Sequence, residues 1–112
     1  MRITGTNISM VRGDNESITV SLQKDNEAVP FNQGDTVYFT VKQSASTEEK
    51  ILQKVITEFD EGNCIIEITP ADTKELAFGV YVYDIQLTDA NGIVTTIIPC
   101  SEFTISEEVT YE

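Results

Sequence analysis

Apolar and polar residues alternate one for one along most of this chain, the signature of strands with one buried and one solvated face. Ile18, Val20 and Leu22 alternate with Thr19, Ser21 and Gln23, and Val37, Phe39 and Val41 alternate with Tyr38, Thr40 and Lys42. The pattern returns with Cys64, Ile66 and Ile68, and again with Tyr81, Tyr83, Ile85 and Leu87 opposite Val82, Asp84, Gln86 and Thr88. A final strand turns Phe103 and Ile105 inward and Glu102, Thr104 and Ser106 outward. Ile8 and Met10 mark a first strand, and residues 93–98 carry enough Val, Ile and Thr for another. The core expected from this pattern contains Ile18, Val20, Val37, Phe39, Ile66, Ile68, Tyr81, Ile85, Leu87 and Phe103.

Turn residues punctuate the strands. Lys24-Asp25-Asn26-Glu27, Asp60-Glu61-Gly62-Asn63 and Asp89-Ala90-Asn91-Gly92 are clusters of the residues that favour turns. Residues 46–59 admit two readings. Ser46 and Glu49 form an S-x-x-E capping box ahead of Ile51, Val55 and Phe59, which suits a helix. The β-branched run Val55-Ile56-Thr57 instead favours a strand, joined to Cys64-Ile65-Ile66 by a hairpin over residues 60–63. Thr69 followed by Pro70 suits a single helical turn bridging two sheets. Gly79 stands two residues before Tyr81, at the start of a long strand, in the manner of the tyrosine corner of immunoglobulin-type sandwiches. Its hydroxyl is expected to bond to backbone near residues 76–78.

These elements predict an all-β fold, an antiparallel immunoglobulin-like Greek-key sandwich with one short helical turn. The Trp and the disulfide of true immunoglobulin domains are missing, and Tyr83 stands where the second Cys would be. At 112 residues the chain makes one domain, expected over residues 1–106, with an acidic segment at 107–112.

Composition narrows the chemistry. There are 7 Lys and Arg against 19 Asp and Glu, a net charge of −12, which disfavours nucleic acid and anionic membrane surfaces as partners. The sequence has no His, so Ser-His-Asp and Cys-His nucleophiles, an imidazole base and His-ligated metals are excluded. No stretch reads as a signal peptide or a membrane span, and the chain is expected to be soluble and made in the cytoplasm. Most acids fall at turns and outward strand positions, where solvation explains them and a catalytic pair does not.

Three local features could carry chemistry. Clustered oxygens at Asp14-Asn15-Glu16, Asp25-Asn26-Glu27 and Asp89-Ala90-Asn91-Gly92 are of a kind Ca²⁺ accepts, yet the twelfth position of a loop begun at Asp89 is Cys100, and turn chemistry explains the same residues. Arg12-Gly13-Asp14 spells an integrin-type tripeptide, but Gly13 is also where a strand after Val11 must break. Cys64 and Cys100 lack metal or redox spacing and read most simply as free thiols, with a bridge between sheets as the alternative. The expectation is therefore of no catalytic, cofactor-binding or metal-binding residues. Partner docking is assigned to Val109 and Tyr111, which lie two apart in a strand continuing from Ser106.

The runs Gly34-Asp35-Thr36-Val37, Gly79-Val80-Tyr81 and Phe103-Thr104-Ile105 with Glu108-Val109-Thr110 resemble a family of small prophage-encoded proteins. In order and spacing they are similar to the N-terminal sandwich domain of phage baseplate upper proteins. The resemblance implies a virion component of the tail, baseplate or head-fibre apparatus, made in the bacterial host. Its partners would be other virion proteins or further copies of itself. The matched positions are architectural, so no functional residue is carried over. An acidic inhibitor acting on a host protein is the alternative, because a strongly negative surface can mimic nucleic acid.

Overall fold

Period-2 alternation becomes strand throughout a computed structural model of the chain, which describes residues 1–109. In chain order the elements are β1 (Arg2–Thr4), β2 (Asn7–Val11), β3 (Glu16–Val20), β4 (Leu22–Lys24), β5 (Glu27–Val29), β6 (Thr36–Lys42), β7 (Lys50–Ile56), β8 (Cys64–Ile68), a helical turn α1 (Pro70–Thr73), β9 (Gly79–Thr88) and β10 (Val94–Ser106). A six-stranded sheet runs β1-β2-β10-β9-β6-β7, β3 pairs with β8, and β4 with β5 makes a small hairpin.

Inward residues of the large sheet and of the β3–β8 pair belong to one core. Ile18 and Val20 from β3 and Cys64, Ile66 and Ile68 from β8 join Val37, Phe39 and Val41 from β6 and Tyr81, Tyr83, Ile85 and Leu87 from β9. All ten residues expected in the core are buried. At its centre Phe39, Tyr83 and Phe103 meet with ring centroids 5.4, 6.0 and 6.2 Å apart, tilted or edge-on as aromatic quadrupoles prefer.

The all-β expectation holds, and the antiparallel one fails at a single ladder. β2 and β10 run parallel, with Ile8 opposite Phe103 and Met10 opposite Ile105. That register sends all four side chains inward, which fixes it despite the parallel sense. A parallel pair needs a long crossover, and the body of the domain lies between these two strands.

Of residues 46–59, Lys50–Ile56 form a strand and the helix does not appear, but the strand is not in the hairpin expected. β7 pairs with β6, so that Val37 faces Ile56 and Val41 faces Leu52, while β8 pairs with β3. Only the bridge between Asp60 and Asn63 remains of a hairpin over residues 60–63. The reason is burial. β8 alternates fully buried with exposed residues and needs the core beneath it, whereas β7 is only half-buried and suits a sheet edge. The turn between them takes positive φ at Glu61 and Gly62, and a Cβ on Gly62 would stand 2.7 Å from the Pro30 Cβ.

Residues 93–98 and the final strand merge into β10. Its pairing with β9 shifts between Thr96 and Ile98 and between Ile98 and Ser101. Pro99 falls inside the interruption, where no ladder bond is asked of its nitrogen. The helical turn forms as expected at Pro70, with Asp72 Oδ2 accepting from the Thr69 N–H at 2.7 Å. Tyr81 makes the predicted corner, its hydroxyl donating to the Ala77 carbonyl at 2.7 Å.

Candidate functional site

Two regions of the surface gather side chains that the core does not explain. The first is the solvent side of the large sheet. Because alternate residues of β6, β7 and β9 point away from the core, cross-strand partners line up there in rows: Tyr38 lies between Val55 and Gln86, and Thr40 between Gln53 and Asp84. All of these except Val55 line a groove of about 520 Å³ that also reaches Lys42, Lys50 and Cys100. Gln53 Nε2 donates to Thr40 Oγ1 at 3.0 Å across the first two strands. Hydroxyl, amide, carboxylate and ammonium groups line the groove together with Ala45, Val82 and the Cys100 thiol, a set that offers hydrogen bonds beside apolar surface.

The second region is the end of the sheet where β2 and β10 finish. Arg12 Nη2 lies 2.7 Å from Glu108 Oε1, Arg12 Nε donates to the same carboxylate, and Nη1 donates to the Leu76 carbonyl at 3.1 Å. The guanidinium also sits 4.2 Å from the centroid of the Phe78 ring. Bonded to Arg12, the Glu108 carboxyl is held below its ordinary pKa. Next to it the Gly13 N–H donates to Thr73 Oγ1 at 2.9 Å, and Thr73 is fully buried. The Arg12-Gly13-Asp14 tripeptide is thus built into the fold through its first two residues, not held out on a free loop.

This arrangement corrects the reading of the C-terminal segment. β10 stops at Ser106, whose carbonyl accepts the Arg12 N–H at 3.0 Å, and Glu108 turns back onto the Arg12 side chain. Val109, expected to prolong the strand, lies beyond its end and is fully exposed. Tyr111 lies outside the described residues. Sequence reasoning missed the Arg12–Glu108 pair, because its members are 96 residues apart and only the parallel β2–β10 ladder brings them together.

Neither a protein-family model nor a curated protein matches the chain.

The remaining candidates fall into ordinary structural roles. Both cysteines are free, Cys64 buried and Cys100 exposed. Burial pushes the Cys64 thiol up to about 11, so at neutral pH it stays protonated and a poor nucleophile. Of the acidic turns, Asp89 Oδ1 accepts from the Asn91 and Ile93 N–H groups at 2.9 and 3.0 Å, and Glu16 meets the Met1 ammonium at 2.8 Å. Among the described residues no three His, Cys, Asp or Glu side chains come together as a metal site would require. Among the same residues no helix is long and apolar enough to cross a membrane.

Proposed function

We propose that the chain is a non-enzymatic structural protein of a phage or prophage, an immunoglobulin-like Greek-key sandwich that docks other components of a tail, baseplate or head fibre. The observation that carries this reading is the strand order. β10-β9-β6-β7 in one sheet, with β3-β8 sharing its core, resembles the G-F-C-C′ and B-E arrangement of immunoglobulin sandwiches, and the Tyr81 hydroxyl bonded to the Ala77 carbonyl resembles their tyrosine corner, which supports the sandwich part of this reading. Phe39, fully buried on β6, is an aromatic core residue of the kind the buried Trp supplies in antibody domains, which supports the same reading.

The residues that resemble the phage family have architectural jobs in this fold, which supports a kinship of scaffold. Gly34 has φ 96° and a Cβ there would meet the Ala90 Cβ at 2.9 Å. Asp35 Oδ2 accepts from the Asn32 N–H at 2.9 Å and closes the turn into β6. Phe103 and Ile105 are core residues of β10. Docking itself draws support from the edges. β1 and β7 bound the large sheet, and β3 and β8 each have one ladder side unpaired among the described residues, so backbone groups stand ready for a partner strand. Ile93 and Val94 add exposed apolar surface at the β9–β10 turn.

The test is mass spectrometry of purified virions from an induced lysogen. The chain should be present at fixed stoichiometry. Strong expression with absence from particles would instead favour the acidic inhibitor acting on a host protein. Deletion of residues 107–112 separates the segment from the body: unchanged incorporation or self-association would remove Val109 and Tyr111 from any docking role.

A further inference from the structure

A β-bulge in β7 places two lysines face to face on the open side of the large sheet. Val41 is opposite Leu52, but the next residue, Lys42, is opposite Lys50, so Ile51 is the extra residue. Ile51 packs against the core, and the register change leaves Lys50 beside Lys42 in the groove. Bulges commonly re-aim a side chain in this way. Like charges directly opposite in a ladder oppose folding. Two of the seven basic residues of a chain with 19 acids are thus set against each other, and the ion pairs formed by the side chains of Lys54 and Arg12 involve neither of them. The ladder itself gains nothing from setting these two residues opposite each other, whereas an anion received between the two ammonium groups would offset their repulsion.

Beyond the lysines, the groove floor sets acceptors and donors side by side, with Asp84, Gln86, Gln53 and Thr40 in adjoining rows beside Tyr38. Carboxylate and amide side chains pair with neighbouring hydroxyls, and an aromatic ring packs against the apolar face of a sugar. A groove of about 520 Å³ lies within the size range of small-ligand sites. We infer that this groove binds an acidic oligosaccharide, with its carboxylate or phosphate over Lys42 and Lys50 and its hydroxyls on Asp84, Gln86 and Gln53. An acidic peptide fits less well: the groove floor is the side-chain face of the sheet, where the backbone of β6 and β9 is paired on both sides, and a peptide adding as a strand would lie along the outer edge of β7 instead. A long polyanion is repelled by the net charge of −12.

The probes are oligosaccharides with a single acidic group, sialyllactose for a carboxylate and maltohexaose carrying one phosphate for a phosphate, with unmodified maltohexaose as the neutral comparison and a short poly-glutamate peptide as the competing class. Each is titrated into the full chain by calorimetry, alongside a K42Q/K50Q double variant. One of the acidic glycans should bind, maltohexaose should bind at least about tenfold more weakly, and the double variant should lose a similar factor, as charge-assisted contacts imply. Thermal unfolding of the variant should occur at the same temperature as the parent or higher, because a repulsive pair has been removed; that separates lost binding from lost structure. Binding of neither acidic glycan, equal binding of maltohexaose, equal binding of poly-glutamate, or indifference to K42Q/K50Q would each overturn the inference.

Discussion

The two faces of the large sheet are built from the same strands, one residue out of step, and they obey different rules. On the inner face Val37, Phe39 and Val41 of β6 are completely buried, while Tyr38, Thr40 and Lys42 between them are half-exposed in the groove. What an inner position requires is apolar volume, and many residues of similar size would meet it. An outer position contributes little to stability, so the residues found there are free to follow chemistry. A one-residue slip of any strand would exchange the two sets, and for that reason the register is strongly held.

Phe39→Ala against Thr40→Ala is the severest test of that contrast. Emptying the fully buried Phe39 site, where it meets Tyr83 and Phe103, should cost roughly 3–5 kcal/mol in urea unfolding. The neighbouring Thr40→Ala should stay within about 0.5 kcal/mol. If both variants lose the same amount, the inner and outer faces are wrongly assigned.

The two cysteines sharpen the comparison through pH. Cys64 belongs to the inner side and Cys100 lines the groove, so a thiol reagent at neutral pH should modify one cysteine of the native chain and both in denaturant. Because burial raises the Cys64 pKa from 9.0 to about 11, folding favours the neutral thiol. Its contribution is present in full below the unfolded value and is lost as pH rises through the folded one. The size is of order 1–2 kcal/mol once solvent screening is allowed for. Burial shifts Tyr83 in the same direction, so Cys64→Ala should reduce the alkaline loss of stability without abolishing it. An unchanged alkaline limb in Cys64→Ala would show that the thiol is not held neutral by the core.

Tyr81→Phe comes next, removing the hydroxyl that donates to Ala77 and leaving the ring in the core. The loss should be about 0.5–1.5 kcal/mol with an unchanged circular dichroism spectrum. No measurable loss would mean that the corner bond adds nothing beyond the water it displaces.

How much of this was legible in the sequence follows from the range of each interaction. Strands β6, β8 and β9 were readable because alternation is local and each residue reports its own face. The tyrosine corner was readable too, since donor and acceptor are four residues apart. Which strand β7 would join was not, because its β-branched run suits either neighbour and the choice depends on how much core each position offers. The parallel β2–β10 ladder, the Arg12–Glu108 pair and the bulge at Ile51 all arise from contacts between distant segments or from a single skipped residue in a register. The groove suffered most: its residues scored only as the polar half of the alternation, and their rows exist only once β7, β6 and β9 are side by side.

A further small effect is expected where the inner face of the edge strand carries a charge. Lys54 is opposite Phe39 on the edge strand β7, and its ammonium reaches Asp72 Oδ2 on α1 at 2.8 Å. Inward-pointing charges on an edge strand discourage unwanted pairing with another sheet. Burial by itself would raise the Asp72 pKa, but hydrogen bonds from Lys54 and from the Thr69 N–H, with the charge of Lys54, bring it below the ordinary value. A carboxyl with a lowered folded pKa contributes stability above its unfolded pKa and loses it as pH falls through the folded one. Lys54→Gln should therefore destabilise by less than about 1 kcal/mol at neutral pH, the scale of partly exposed ion pairs. Parent and variant should converge at acid pH, once the pH has fallen below the lowered folded pKa of Asp72 and the carboxyl is protonated in both. If the variant is equally destabilised at both pH values, Lys54 acts through the packing of its aliphatic stem and not through its charge.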